Sequence, residues 1–202
     1  AERKGRNVHI LAFHIEYLNN ARERDPFSRL SFSERHFRYG EHFHSARAQA
    51  GEVIINGQFA ASGKSPAGIE RALYRALALP ARTSVKLMHR YVPQSKTIQI
   101  DFTVKGLERV RREFYYLHTA LVEDGVELLV HNAAAGEPRR LDNVVRALET
   151  TRFDGRSGEG TLQLVLGDNI VHAQARVVCF VQDPQNLHIL GVSTFALVPA
   201  TK

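Results

Sequence analysis

The single cysteine, Cys179, stands in the run Val177-Val178-Cys179-Phe180-Val181. A thiol attacks only as thiolate, and an apolar strand raises its pKa. A buried structural cysteine is therefore expected, and one cysteine excludes an internal disulfide. The chain holds 10 histidines, so metal and acid–base chemistry both need weighing. His42 and His44 are about 200° apart on a helix, and His36 lies about 120° from His42. These three meet round a metal only if the helix breaks at Gly40. No metal site is expected, although a metal-binding protein using His36, His42, His44 or His14 stays as one reading. His14 and Glu16 alternate along a strand and share a face. The pair is open to a structural hydrogen bond or to acid–base work. No phosphate loop, Gly-x-Gly-x-x-Gly, Gly-x-Ser-x-Gly elbow or clear carboxylate pair is present. No catalytic residue and no cofactor is expected.

These residues need elements to position them. Val8 to Phe13 is apolar on both faces, the pattern of a buried parallel strand. Residues 18–30 are polar and read as a loop. Ser31-Phe32-Ser33-Glu34 has the form of a capping box, and a helix is expected over about 32–49, ended by Gly51. Glu52 to Asn56 and Gln58 to Ala61 flank Asn56-Gly57, a strong hairpin signal. Ser65-Pro66 starts a second helix, with Ile69, Ala72, Leu73, Ala76 and Leu77 on one stripe, up to Pro80. After Pro80 the period falls to two. Thr83 to Tyr91, Thr97 to Val104, Glu113 to Val122, Val126 to His131, Gly160 to Leu166, His172 to Gln182 and His188 to Leu197 read as strands. Asn143 to Thr150 is also taken as strand. Short strands at this spacing predict an antiparallel sandwich.

Lys and Arg number 27 against 21 for Asp and Glu, a net charge of +6. The cations are scattered, with knots at Arg109, Arg111, Arg112 and at Arg139, Arg140. No aromatic-interleaved basic motif is present, so no nucleic-acid partner is expected. No apolar run approaches the roughly 18 residues of a membrane span. Asn132 to Gly136 reads as a plain connecting loop.

Several stretches carry a resemblance. They are Leu11-Ala12-Phe13-His14-Ile15-Glu16-Tyr17, Asp25-Pro26-Phe27-Ser28, Phe32-Ser33-Glu34-Arg35, Val53-Ile54-Ile55-Asn56-Gly57, Asp142-Asn143-Val144-Val145-Arg146 and Phe180-Val181-Gln182-Asp183-Pro184. In this order they resemble the secreted bacterial thioredoxin-like family called domain of unknown function 1223. The resemblance implies a thioredoxin-type α/β layer, a periplasmic or exported location and no established reaction. The family's N-terminal strand and Cys-x-x-Cys motif have no counterpart here. Arg3, Lys4 and Gly5 look like the tail of its first helix. Its cis-proline position beside the redox site falls at Gly51, a degenerate redox position.

The fold expected is α+β: a partial thioredoxin-like α/β layer over 1–82, then an antiparallel β-sandwich over 83–202. The function expected is that of a non-catalytic, exported interaction or structural accessory subunit of a larger cell-envelope assembly. It would bind one or more protein partners, a membrane-associated complex among them, without a transmembrane segment of its own. Candidate partner contacts are His36, Tyr39, His42, His44, Arg109, Arg111 and Arg112. The alternative is a fragment of a periplasmic thiol–disulfide oxidoreductase whose cysteine motif lies upstream.

Overall fold

A computed structural model describes residues 8–20, 24–44, 50–107, 112–128 and 139–197. It is mostly antiparallel sheet with two helices, an α+β arrangement. The helices are α1 (Leu30–His42) and α2 (Pro66–Leu77). Strands β1 (Glu52–Ile55) and β2 (Phe59–Ser62) form the hairpin. Strands β3 (Ser84–Val92), β4 (Thr97–Lys105), β5 (Phe114–Glu123), β6 (Val126–Leu128), β7 (Arg139–Leu141), β8 (Val144–Asp154), β9 (Glu159–Val165), β10 (Ala175–Gln182) and β11 (Ile189–Ala196) follow.

Two sheets carry the core. One has the order β11-β10-β5-β8 and the other β3-β4-β9, with antiparallel neighbours throughout. Period-two alternation sends Ile98, Ile100, Phe102 and Val104 of β4 against Leu117 and Leu121 of β5 and Val177 and Val181 of β10. Burying each such side chain contributes about 1.5–3 kcal/mol. The other register of the first sheet is also covered. Ala120, Val122, Val145, Val178 and Phe180 pack with Phe32 of α1 and with Leu11 and Phe13. The result is three layers: helix, four-stranded sheet, three-stranded sheet.

That third layer explains where the N-terminal expectations depart from the structure. Val8 to Phe13 is not a regular strand. Ala12 makes one parallel bridge to Val144 at the edge of β8, with the Ala12 and Val145 amides donating across it at 2.8 and 3.0 Å. Leu11 and Phe13 pack with Phe32 of α1 instead of joining the hairpin, which remains a two-stranded sheet of its own. The capping box does not form. Helix α1 begins at Leu30, and Ser33 is buried with its hydroxyl accepting from the Glu16 amide at 2.8 Å. The helix ends at His42, because His44 takes a positive φ of 49°. Residues 45–49 and the loop 132–136 lie outside the described residues.

Other local signals act as read. Ser65 Oγ accepts from the Gly68 amide, and Pro66 occupies the first turn of α2. Asn56 and Gly57 have φ of 52° and 64°, the left-handed pair of a type I′ turn. The turn docks on the sandwich, where the Ile189 amide donates to the Asn56 carbonyl at 2.8 Å. A Cβ on Gly57 would lie 2.0 Å from the Leu187 carbonyl oxygen, whereas one on Gly51 (φ +83°) would meet open space. Gly57→Ala is therefore expected to cost roughly 2 kcal/mol or more, and Gly51→Ala only about 1 kcal/mol, in urea denaturation. Equal costs would show that the turn is not seated on Leu187.

Candidate functional site

The polar residues on the helix-covered face of the first sheet form one connected system. His118 and Gln182 occupy outward registers otherwise filled by Ala120, Val122, Val178 and Phe180. Gln182 Nε2 donates to the Leu187 carbonyl at 2.7 Å and to the Tyr39 hydroxyl at 2.8 Å. A carbonyl only accepts, so Leu187 fixes which end of the amide is NH2. Gln182 Oε1 is then an acceptor, and the His118 Nε2–H donates to it at 2.8 Å. His118 Nδ1 is left to accept from the Thr150 hydroxyl at 2.8 Å. The ring is thus satisfied as the neutral Nε2–H tautomer. Burial, reinforced by the positive charge of Arg35, pushes its pKa down to about 3.

Arg35 sits beside this chain in an aromatic cage. Its guanidinium carbon is 5.5, 5.1 and 5.4 Å from the ring centres of Phe13, Tyr39 and Phe180. Its Nη2 donates to the Tyr39 hydroxyl at 3.1 Å. Among the described residues no carboxylate pairs with it. Burial and the neighbouring Arg38 lower its pKa. Cation–π contacts of about 0.5–2 kcal/mol each offset the lost hydration.

The opposite side of α1 is covered by a short 3-10 turn, Glu16–Leu18. Tyr17 stacks on Phe37 at 5.2 Å, and its hydroxyl bonds His36 Nε2 at 3.2 Å. Tyr17, Leu18, Leu30 and Phe37 stay 42, 58, 63 and 47% exposed. Leu30 and Phe37 are two helical turns apart and share a face.

The expected contact residues separate into groups. His36 is half-buried within the exposed stack, and His44 is exposed beyond the helix end. His42 lies edge-on to Phe43 with ring centres 5.0 Å apart. Tyr39 is buried, which corrects its reading as a surface aromatic: it faces the sheet because it shares the turn of α1 that carries Arg35. Arg109 and Arg111 lie outside the described residues. Arg112 directs its Nε to both oxygens of the buried Asp183, at 3.2 and 3.1 Å, so its charge is already matched. Gly51 holds a φ that proline's ring forbids.

His14 does not pair with Glu16. Its Nδ1 meets Asp25 Oδ2 at 2.5 Å, and the other Asp25 oxygen accepts from the Phe27 amide at 2.9 Å. The residues after His14 turn into the 3-10 segment, ending the strand geometry on which the expected pairing rested. Among the described residues no three His, Cys, Asp or Glu side chains gather as a metal site. Cys179 is fully buried, its thiol pushed up to about 11 by desolvation, with Thr119 Oγ1 at 3.5 Å. A cleft of about 410 Å³ opens between β8 and β9, lined by Phe27, Arg29, Arg146, Glu149, Val165 and Ile170. Arg146 there is neutralised by the buried Glu123. The system built round Gln182 was not foreseen. Its signal was available: polar residues standing in an apolar register of two strands.

A family model described as "Protein of unknown function (DUF1223)" matches residues 1–182. The chain is similar in fold to the crystal structure of protein AGR_C_4864 from Agrobacterium tumefaciens, with TM-score 0.64 and 14% identity. That match covers 95% of this chain and 81% of the other. HBP35 of Porphyromonas gingivalis matches with TM-score 0.48 and 16% identity over 67% of this chain and 48% of that one. A domain of the outer membrane lipoprotein Omp28 from Porphyromonas gingivalis matches with TM-score 0.34 and 19% identity over 60% of this chain and all (100%) of that one. These last two are too distant in shape to support an inference. No curated protein matches.

The His118 environment predicts an acid response. The unfolded chain takes up the histidine proton near pH 6.5, whereas the folded chain resists it down to about 3. Stability from this group is complete above pH 6.5 and declines as pH falls towards 3, by at most about 1.4 kcal/mol per unit. Urea unfolding between pH 7 and 4.5 should show this slope, and His118→Gln should flatten it. An unchanged slope in that variant would place the acid sensitivity elsewhere.

Proposed function

The chain belongs to the DUF1223 family of unknown function, and from that premise we propose that it is a non-catalytic protein-interaction subunit of a larger cell-envelope assembly. The observation that carries this reading is the exposed face of α1. There Tyr17, Phe37 and Leu30 present large apolar side chains to solvent while His36 and Tyr17 hold one another in place. Rigid aromatic groups with a polar edge are the type of residue that anchors protein interfaces.

Several groups that could do chemistry support the same reading by being engaged inside the protein. Cys179 is sealed as a thiol, His118 is neutral and satisfied, and Asp183 and Glu123 are buried against arginines. Segment 1–82 is read as a degenerate thioredoxin-like domain and 83–202 as the sandwich domain. The order α1, hairpin, α2 supports the first, and the φ of Gly51 is consistent with a lost proline site. A periplasmic location follows from the family resemblance alone. No helix among the described residues is long and apolar enough to cross a membrane.

The test is the native assembly. In extracts of the source cells the wild-type chain should migrate in a complex larger than itself. The Tyr17→Ser/Phe37→Ser variant should run as the free chain, with thermal stability changed by less than about 1 kcal/mol. Unaltered migration of the variant, or free migration of both, would remove this surface from the function.

A further inference from the structure

The hydrogen bonds round Tyr39 leave donors without acceptors. The Tyr39 oxygen accepts from Gln182 Nε2, whose orientation is fixed by the Leu187 carbonyl, and from Arg35 Nη2, which can only donate. The hydroxyl hydrogen must therefore point elsewhere, and no acceptor for it is found among the described residues. Arg35 has the same surplus. One Nη2–H is used, its other nitrogens have no described acceptor, and the residue is only partly buried. The surrounding elements do not supply the missing charge. Phe13, Phe180, His118 and Gln182 bring no anion, and the exposed Arg38 on the same helix adds a second cation. A half-buried guanidinium walled by three rings, beside a hydroxyl that still has a hydrogen to donate, is complementary to an oxyanion rather than to a neutral or cationic group.

We propose that Arg35, Arg38 and the Tyr39 hydroxyl form a carboxylate receptor at the margin of α1, and that its occupant is an aspartate or glutamate side chain on an acidic segment of the protein partner. The aromatic walls favour a carboxylate carried on an apolar stem, because Phe13 and Phe180 can cover that stem while the guanidinium takes the charge. The net charge of +6 favours the approach of an acidic segment. This inference supplies the partner's chemistry and rests on the protein-binding reading above.

The experiment uses the full chain with ¹⁵N-arginine and a capped hexaglutamate peptide as probe at low ionic strength. The Arg35 Nε–H resonance, assigned by its loss in Arg35→Lys, should shift saturably. Affinity should fall about tenfold in Tyr39→Phe and several-fold in Arg38→Gln, an exposed change that leaves the fold intact. A resonance that does not move, a hexaglutamine peptide that binds equally, or unchanged affinity in both variants overturns the receptor. An equal response to inorganic phosphate at the same concentration overturns the acidic-segment assignment. If the peptide binds but the native complex survives loss of Tyr17 and Phe37, the exposed face fails and this site stands. If the complex needs that face and the peptide does not bind, only this inference fails.

Discussion

The primary amide of Gln182 fixes how α1 seats on the four-stranded sheet. One carbonyl, that of Leu187, fixes the amide's orientation. From that single constraint follow the tautomer of His118 and the acceptance by Tyr39 of the amide's second N–H. Because Tyr39 lies on α1 and His118 on β5, the same few bonds tie the helix to the sandwich. Leu187 also faces Gly57, so the hairpin turn rests on the segment that orients the amide. Apolar packing of Phe32 with Val122, Val145 and Val178 supplies most of the energy for docking α1. The polar chain supplies its exact seat, since a buried donor left without its partner costs about 1–3 kcal/mol.

The distribution of chemistry follows from this layering. Thiol, imidazole and carboxylate groups that enter the layers are desolvated and then matched internally. Cys179 and His118 are both driven towards their neutral forms, and each stays outside its useful range at neutral pH. The surface of α1 is treated differently. One side carries an apolar aromatic stack in water, and the sheet-facing margin carries cations without anions. Both are incomplete when the chain stands alone, which is the physical content of reading it as a binding protein.

The sequence made some of this legible and hid the rest. Signals that act within a few residues survived into the structure: Asn56-Gly57 makes its turn, Ser65-Pro66 starts α2, and period two marks the sandwich strands. Signals that depend on distant competition did not. Ser31 to Glu34 has the form of a cap, but α1 starts earlier, with Arg29 at the N-cap, so Ser31 falls inside the first turn and cannot cap it. His14 selects Asp25 over Glu16 because an Asx turn at Asp25-Pro26-Phe27 delivers the carboxylate. Val8 to Phe13 has strand composition, yet its apolar groups serve as a floor for α1. Tyr39 lies two helical turns after the buried Phe32 on the sheet-facing side of α1, but its bonding partner there, Gln182, is 143 residues away in sequence.

The claim on which these conclusions depend is that Gln182 holds His118 as a neutral, Nε2-protonated ring beneath α1. Imidazole ¹⁵N chemical shifts across a pH series measure this directly. His118 should show a protonated Nε2 and an unprotonated Nδ1 from pH 7 down to at least pH 4.5. Titration of this ring near pH 6.5, or a proton on Nδ1 at neutral pH, would contradict it.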